Sequence, residues 1–372
     1  MSRRWMIVLG AAAAVLVVLA GAYLWLTRTL PVLTVATWSG PYSRAQANAL
    51  FRTYGAAKSY DVRIALYDGG LKELEQMVAD RRYDWDVMDF ELPDAIAACR
   101  LGLLEHIDAA ALPPGADGTP AARDFVSGAI GRCWVASVVY SQVIAYPRDL
   151  YGAARPQTAA DFFDVRRFPG YRALRRGAKF NLELALLADG VKPADVYDAL
   201  LTPVGIDRAL TKLATLKGAI LWWDNSADAI AMLKDGRAAF ATVLNGDIYD
   251  AAQQRHGVNV IWDDQLYEFD VFGVPKGNPH KDVAMDFIRF ATGSQPLAAV
   301  ASWVPYGPAR RSATLFVGKN PELGIDMTPF LPTMPTHFET AFAIDDAWWQ
   351  LHGADIEPRW QVWLASQARR AL

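Results

Sequence analysis

The run Val32-Leu33-Thr34-Val35-Ala36-Thr37-Trp38 alternates its side chains, is rich in branched residues, and stops at Ser39-Gly40-Pro41. Alternation closed by Gly and Pro predicts a strand running into a loop, and a large aromatic heads that loop. Working outward, Ser43 to Tyr54 has helical spacing, and Val62 to Tyr67 predicts a second strand closed by Asp68-Gly69-Gly70. A second helix is expected over Leu71 to Ala79. Asp86 to Phe90 then predicts a third short strand with Asp89 near its carboxyl end, followed by a helix from Pro93 to Leu101. Such alternation predicts an α/β fold, a mainly parallel sheet covered by helices, with ligands at the carboxyl ends of the strands.

The middle of the chain continues with longer pieces. Cys133 to Tyr146 is apolar, branched and aromatic, ends at Pro147, and is long enough to cross from one lobe to another. Leu266 to Val274, closed by Pro275-Lys276-Gly277, suits the return crossover, and helical spacing resumes at Lys281. Between them, helices are expected over Ala159 to Phe163, Asn181 to Ala188, Pro193 to Leu201 and Ile206 to Lys217. Ile220 to Trp223 and Ala238 to Leu244 predict strands. Trp222 and Trp223 are strand neighbours and face opposite sides, so one of them belongs to the core. Trp348, Trp349, Trp360 and Trp363, at helical spacings, are expected to pack against the first lobe.

Upstream, Arg3 and Arg4 precede an unbroken apolar run from Trp5 to Leu26. A positive segment before an apolar core signals export, so the remainder is expected to work in the periplasm. The run matches the roughly 20 residues that span a bilayer, whereas Ala20-Gly21-Ala22 offers small residues for a signal peptidase. Residues 1–30 are therefore read as a cleaved signal peptide or a membrane anchor formed by residues 5–26. A lipid anchor is not expected, because the Leu19-Ala20-Gly21-Ala22 quartet lacks the cysteine that would carry it.

The body that follows is larger than one core usually organises, and apolar residues form 52% of the chain, so two folded lobes are expected. A net charge of -3 gives no footprint for nucleic acid. Arg166, Arg167, Arg172, Arg175 and Arg176, interrupted by Phe168-Pro169-Gly170, are read as a solvated turn. Cys99 and Cys133, few and even in number in an oxidising compartment, suggest one disulfide, with two separate buried thiols as the alternative. The five histidines show no zinc-binding spacing, so no metal site and no cofactor are expected. The chain lacks a GxSxG elbow, a P-loop and a strand-borne GxGxxG, which argues against an enzyme.

Five short motifs, in order, carry a family resemblance: Trp38-Ser39-Gly40-Pro41-Tyr42, Asn181-Leu182-Glu183, Asn245-Gly246-Asp247, Phe269-Asp270-Val271-Phe272-Gly273-Val274-Pro275 and Val304-Pro305-Tyr306-Gly307-Pro308. From about Val32 to the C-terminus the chain resembles the periplasmic solute-binding proteins of ABC importers, specifically the spermidine/putrescine-binding branch. The resemblance implies a type II periplasmic-binding-protein fold. Two α/β lobes would be joined by two crossing strands, lobe 1 at 31–140 plus 275–372 and lobe 2 at 141–274. It also implies a monomer that closes on its ligand and is read by an ABC permease in the inner membrane.

An α,ω-diamine is an apolar rod with an ammonium at each end, so its site needs separated carboxylates and aromatic walls. The candidate walls are Trp38, Tyr42, Trp223 and Tyr306. The candidate ammonium acceptors are Asp89, Glu183, Asp247 and Asp270. By the resemblance, Trp38 and Tyr42 match the first-loop aromatics, Glu183 and Asp270 the acidic anchors, Asp247 an anchor of putrescine-type members, and Tyr306 the late tyrosine. The chain departs from that pattern at Leu244, where a tryptophan is usual, and at Asp89-Phe90-Glu91, which adds acid. The ligand class therefore stays open between a polyamine and a guanidinium compound, a zwitterion or ferric iron, and the role between importer component and membrane-tethered sensor.

Overall fold

In this computed structural model, residues 29–254 and 257–368 are described. The leader reading at residues 1–30 lies almost wholly outside them. β1 (Val32–Thr37) pairs in parallel with β2 (Asp61–Leu66) on one side and β3 (Val87–Glu91) on the other. Between β1 and β2, α1 (Pro41–Gln46) runs through a π-helical stretch at Ala47–Phe51 into Arg52–Lys58. Pro41 suits the start of α1, since its fixed φ is already helical and its missing N–H has no helical partner there. α2 (Lys72–Asp80) and α3 (Leu92–Arg100) complete this opening.

β4 (Val135–Pro147) then leaves the first body. Beyond it lie α4 (Ala159–Phe163), β5 (Arg172–Arg175), α5 (Asn181–Ala188), α6 (Val196–Leu200) and α7 (Pro203–Ala214). A reciprocal cap starts α4, in which the Thr158 hydroxyl accepts from the Asp161 N–H while the Asp161 side chain accepts in return. β6 (Ile220–Trp223), α8 (Ser226–Lys234), β7 (Phe240–Leu244) and α9 (Asn245–Gln253) follow. The 16-residue β8 (Val258–Gly273) runs back antiparallel to β4 through most of its length. α10 (Lys281–Ala291), α11 (Ser294–Ala301), β9 (Phe342–Ala343) and the 23-residue α12 (Asp346–Ala368) end the described chain.

The nine strands of the described residues form one mixed sheet in the order β2-β1-β3-β8-β4-β7-β5-β6, with β9 beside β8. β4 and β8 are the crossing strands. β3 joins the carboxyl end of β8, from Met88 opposite Gly273 to Glu91 opposite Asp270, while β7 joins the far part of β4. Apolar packing divides accordingly. One buried cluster gathers Leu33 to Val139 with Tyr267 to Ala313, and two others gather Val143 to Leu266 with Phe342 to Trp360.

Three expectations are corrected here. The tail tryptophans do not pack on the first body: Trp348 and Trp360 belong to the second, and Trp222 packs edge-on against Trp360 at 5.8 Å and Trp363 at 6.2 Å. The range 275–372 given to lobe 1 therefore divides, because the chain crosses a third time at β9 before α12 begins. α12 keeps a small hold on the first body through Gln350, whose amide donates to the Pro93 carbonyl at 2.6 Å. The arginine patch is likewise no solvated turn as a whole. Arg172 is fully buried on β5, donating to the carbonyls of Phe162 (2.9 Å), Gly170 (2.6 Å) and Phe168 (2.7 Å) and stacking over Phe240 at 4.7 Å. Two carbonyls of the Phe168-Pro169-Gly170 bend and one of α4 satisfy its charge, as a buried guanidinium requires. Cys99 and Cys133 form the disulfide, tying the end of α3 to the loop that enters β4.

Candidate ligand cleft

Trp38 stands at the carboxyl end of β1, its ring edge-on to Tyr67 at 5.0 Å. The backbone then turns at Gly40, with φ 89° and ψ -144°, a conformation that glycine adopts without the penalty a Cβ would bring. That turn presents Pro41 and Tyr42 to the space between the two bodies. Tyr42 meets Tyr306 edge-on at 5.6 Å. Tyr306 in turn leans on the first turn of α9 because residue 246 is glycine, and a Cβ there would fall 2.6 Å from the ring.

The Asn245-Gly246 pair owes its place to this junction. Asn245 accepts from the Ser141 N–H at 2.9 Å and donates to the Pro305 carbonyl, so one buried amide pins β4, the start of α9 and the Val304-Pro305-Tyr306 loop together. Around it lies a cavity of about 440 Å³ lined by Trp38, Tyr42, Asp247, Asp270 and Tyr306, five of the eight residues singled out in the sequence. Asp247 is exposed in the first turn of α9, while Asp270 is 8% exposed on β8. Burial and the neighbouring charges of Asp89, Glu91 and Glu268 push the Asp270 carboxyl well above the usual carboxylate range.

The other three candidates lie elsewhere. Asp89 is fully buried behind Tyr42 and lines no part of this cavity: its carboxylate accepts from Ser137 at 2.7 Å and from the Gln46 amide. Burial pushes Asp89 up to about 6 despite those donors. Glu183, in the first turn of α5, is also fully buried, and it accepts from the Trp349 indole and the Tyr197 hydroxyl instead of facing the cleft. Trp223 is 5% exposed within an apolar cluster of the second body, while half-buried Trp222 packs on the opposite face, so neither lines the cleft.

A second compartment of about 590 Å³ shares Glu91, Tyr140 and Leu244 with the first. Arg175, Arg176, Lys179 and Phe180 also line it. Here the side chains are cationic. Lys179 is held by Glu268 and by Asp346 at 2.6 Å, and Arg176 by Asp224 at 3.1 Å. Arg175 lies over the Phe180 ring at 5.7 Å and forms no ion pair among the described residues. The rule that selected Asp89, attention to the carboxyl end of a strand, also selects Arg175 at the end of β5. Read as one turn, the arginine patch conceals that strand. A still larger cavity of about 750 Å³ is walled mostly by apolar groups such as Leu92, Trp134 and Phe342, and it holds none of the predicted binding residues. Volume alone does not make that cavity the site: Arg132 and Asp345 line it as well, but it lacks the Trp38, Tyr42 and Tyr306 rings that wall the cleft.

Two α/β bodies joined by long paired strands, with a polar and aromatic cleft between them, define a solute-capturing protein of the periplasmic-binding class. The chain matches the bacterial extracellular solute-binding protein family over residues 49–325 and belongs to it. It is 37% identical over 335 residues to the gamma-aminobutyric acid-binding protein of Pseudomonas aeruginosa, covering 90% of this chain and 91% of that one. Among solved structures it resembles the Atu4243-GABA receptor, with a TM-score of 0.70 and 29% identity over 89% of this chain and 97% of the other. It also resembles the binding protein MotA of Agrobacterium tumefaciens B6 in complex with glucopine, with a TM-score of 0.67 and 25% identity over 89% and 99% of the two chains. These relatives are binding proteins of transport, not enzymes, and the family works outside the cytoplasm, handing small solutes to a permease. None of them is named for a polyamine, so the resemblance to the polyamine branch holds at the level of the wider family.

Proposed function

We propose that this protein captures a small zwitterion carrying separated ammonium and carboxylate groups, of the γ-aminobutyric acid (GABA) type, for delivery to an ABC permease. The observation that carries the reading is the pairing of opposites along one cleft: Asp270 without a cation at one end, Arg175 without an anion at the other. The ammonium sits against Asp270 among the Trp38, Tyr42 and Tyr306 rings, which favour a cation through charge and ring faces. The carboxylate sits on the Arg175 guanidinium, whose planar fork matches it. Ligand bridging both sides stabilises the closed arrangement about β4 and β8, and the permease reads that arrangement. The names of the GABA-binding relatives support the same class.

A diamine is the second reading, because Glu91, Asp247, Asp250 and Asp270 all line the aromatic compartment. Calorimetric titration of the purified protein with GABA and with putrescine separates the two. Asp270→Asn is expected to weaken GABA at least tenfold without unfolding the protein, since a charge-assisted contact contributes about 1.5–3 kcal/mol. Arg175→Gln is expected to weaken GABA by a similar factor and to leave putrescine unchanged or tighter. Tight putrescine binding that ignores Arg175, with GABA silent, would reverse the assignment.

A further inference from the structure

Behind the aromatic compartment lies an acid that the ligand never reaches. In the β3–β8 ladder, Asp89 stands opposite Phe272 and Glu91 opposite Asp270, so Asp89 and Asp270 are diagonal neighbours on one face of the sheet. The groups that hydrogen-bond Asp89 are all neutral: Thr37 from β1 at 3.3 Å, Gln46 and Tyr42 from α1, and Ser137 from β4. Asp270 faces Glu91 of β3, Tyr42 of α1, Tyr306, Asp247 of α9, Tyr140 of β4 and Glu268 of its own strand. The nearby Lys179 is engaged by Glu268 and Asp346. No cation is paired with Asp89 or Asp270 among the described residues, although both are at least nine-tenths buried.

Resting on the ammonium end of the proposed ligand reading, we propose that Asp89 is a positioning residue that shares one proton with Asp270 in the empty cleft, and that an arriving ammonium at Asp270 displaces this proton to solvent. Two like charges in one dry pocket cannot both ionise freely, whereas the ammonium supplies the missing counter-charge. The raised position of both carboxyls, through burial first and mutual charge second for Asp270, agrees with this. Asp89 also acts on the wall of the site. By accepting from Ser137 it turns that hydroxyl's lone pairs toward Tyr42, whose phenol donates to it at 3.2 Å.

The sign follows directly: the ammonium prefers the ionised pair, so affinity rises with pH until the pair is fully ionised. The slope approaches about tenfold per pH unit while one proton leaves per ligand. GABA itself does not titrate between about pH 5.5 and 8, so the dependence belongs to the protein. Titrating GABA at pH 6 in buffers of different ionisation heat is expected to give about 0.5–1 proton released per ligand. In Asp89→Asn, burial, Glu91 and Glu268 still act on Asp270, so the release at pH 6 is expected to fall and the pH profile to move to lower pH, with affinity at pH 8 changed only several-fold. Tight binding by the wild type with no proton release overturns the proposal. If neither GABA nor putrescine binds, the ligand reading fails by itself, and carboxyl carbon resonances of the ligand-free wild type then decide. An aspartate pair titrating at or above pH 6 supports the shared proton, and two aspartates in the ordinary range refute it.

Discussion

Glu183 occupies the first turn of α5 with its carboxyl sealed from solvent, and burial pushes that carboxyl up to about 7. A folded-state value above the unfolded one means the native state binds the extra proton. Stability is then full below the ordinary glutamate range and declines as pH rises through about 4.5 to 7. Glu183→Gln is accordingly expected to gain on the wild type by about 1–3 kcal/mol between pH 4.5 and pH 8, read as the difference of melting curves, while GABA affinity changes little. Equal stability differences at both pH values would show that the carboxyl is ionised at no cost. Trp38 and Tyr306 are legible in the sequence as cleft-lining residues because one follows the end of a strand and the other sits in a Pro-bounded loop, where side chains face open space. Glu183 is not, because its direction is decided by Trp349, 166 residues further on.

At the scale of elements, the start of α9 is a helix fitted under a tyrosine. Gly246→Ala is expected to push Tyr306 off this turn, costing about 1–3 kcal/mol from overpacking and weakening GABA at least fivefold, followed by thermal melts and titration. Unchanged binding would mean that Tyr306 does not form the wall. The same motif shows why some elements escaped notice: Asn245-Gly246-Asp247 reads as a turn, yet here it opens α9, and Asn245 spends its hydrogen bonds on tertiary partners. β5 escapes for another reason, since a fully buried arginine at its start is improbable until three carbonyls are known to surround it. By contrast α4 and α5 appear at the expected bounds, because a capping box starts one and a run that is apolar but for Asn181 and Glu183 fills the other.

The two-body architecture was legible from the alternation of strands and helices and from two unusually long apolar stretches, which became β4 and β8. What spacing could not reveal was the third crossing, since β9 has only two residues and is defined by its pairing with Leu266 and Tyr267. The disulfide holds one of the entrances to this hinge, closing a sequence separation of 34. Its reduction is expected to lower stability by about 3–4 kcal/mol, visible in calorimetry with and without reductant, on the view that the bridge restricts the unfolded chain. A negligible shift would place its value in hinge geometry instead.

Three is an odd number, and parity has a consequence. An even count of crossings returns a chain to the body where it began, whereas this one leaves β1 and β2 on one side and the last helix on the other. The distance from exposed Arg63 in β2 to exposed Gln361 in α12 is therefore itself a gauge of the angle between the bodies. A pair of dyes placed there turns the protein into an optical reporter of its own solute, with both labels outside the residues lining the cleft.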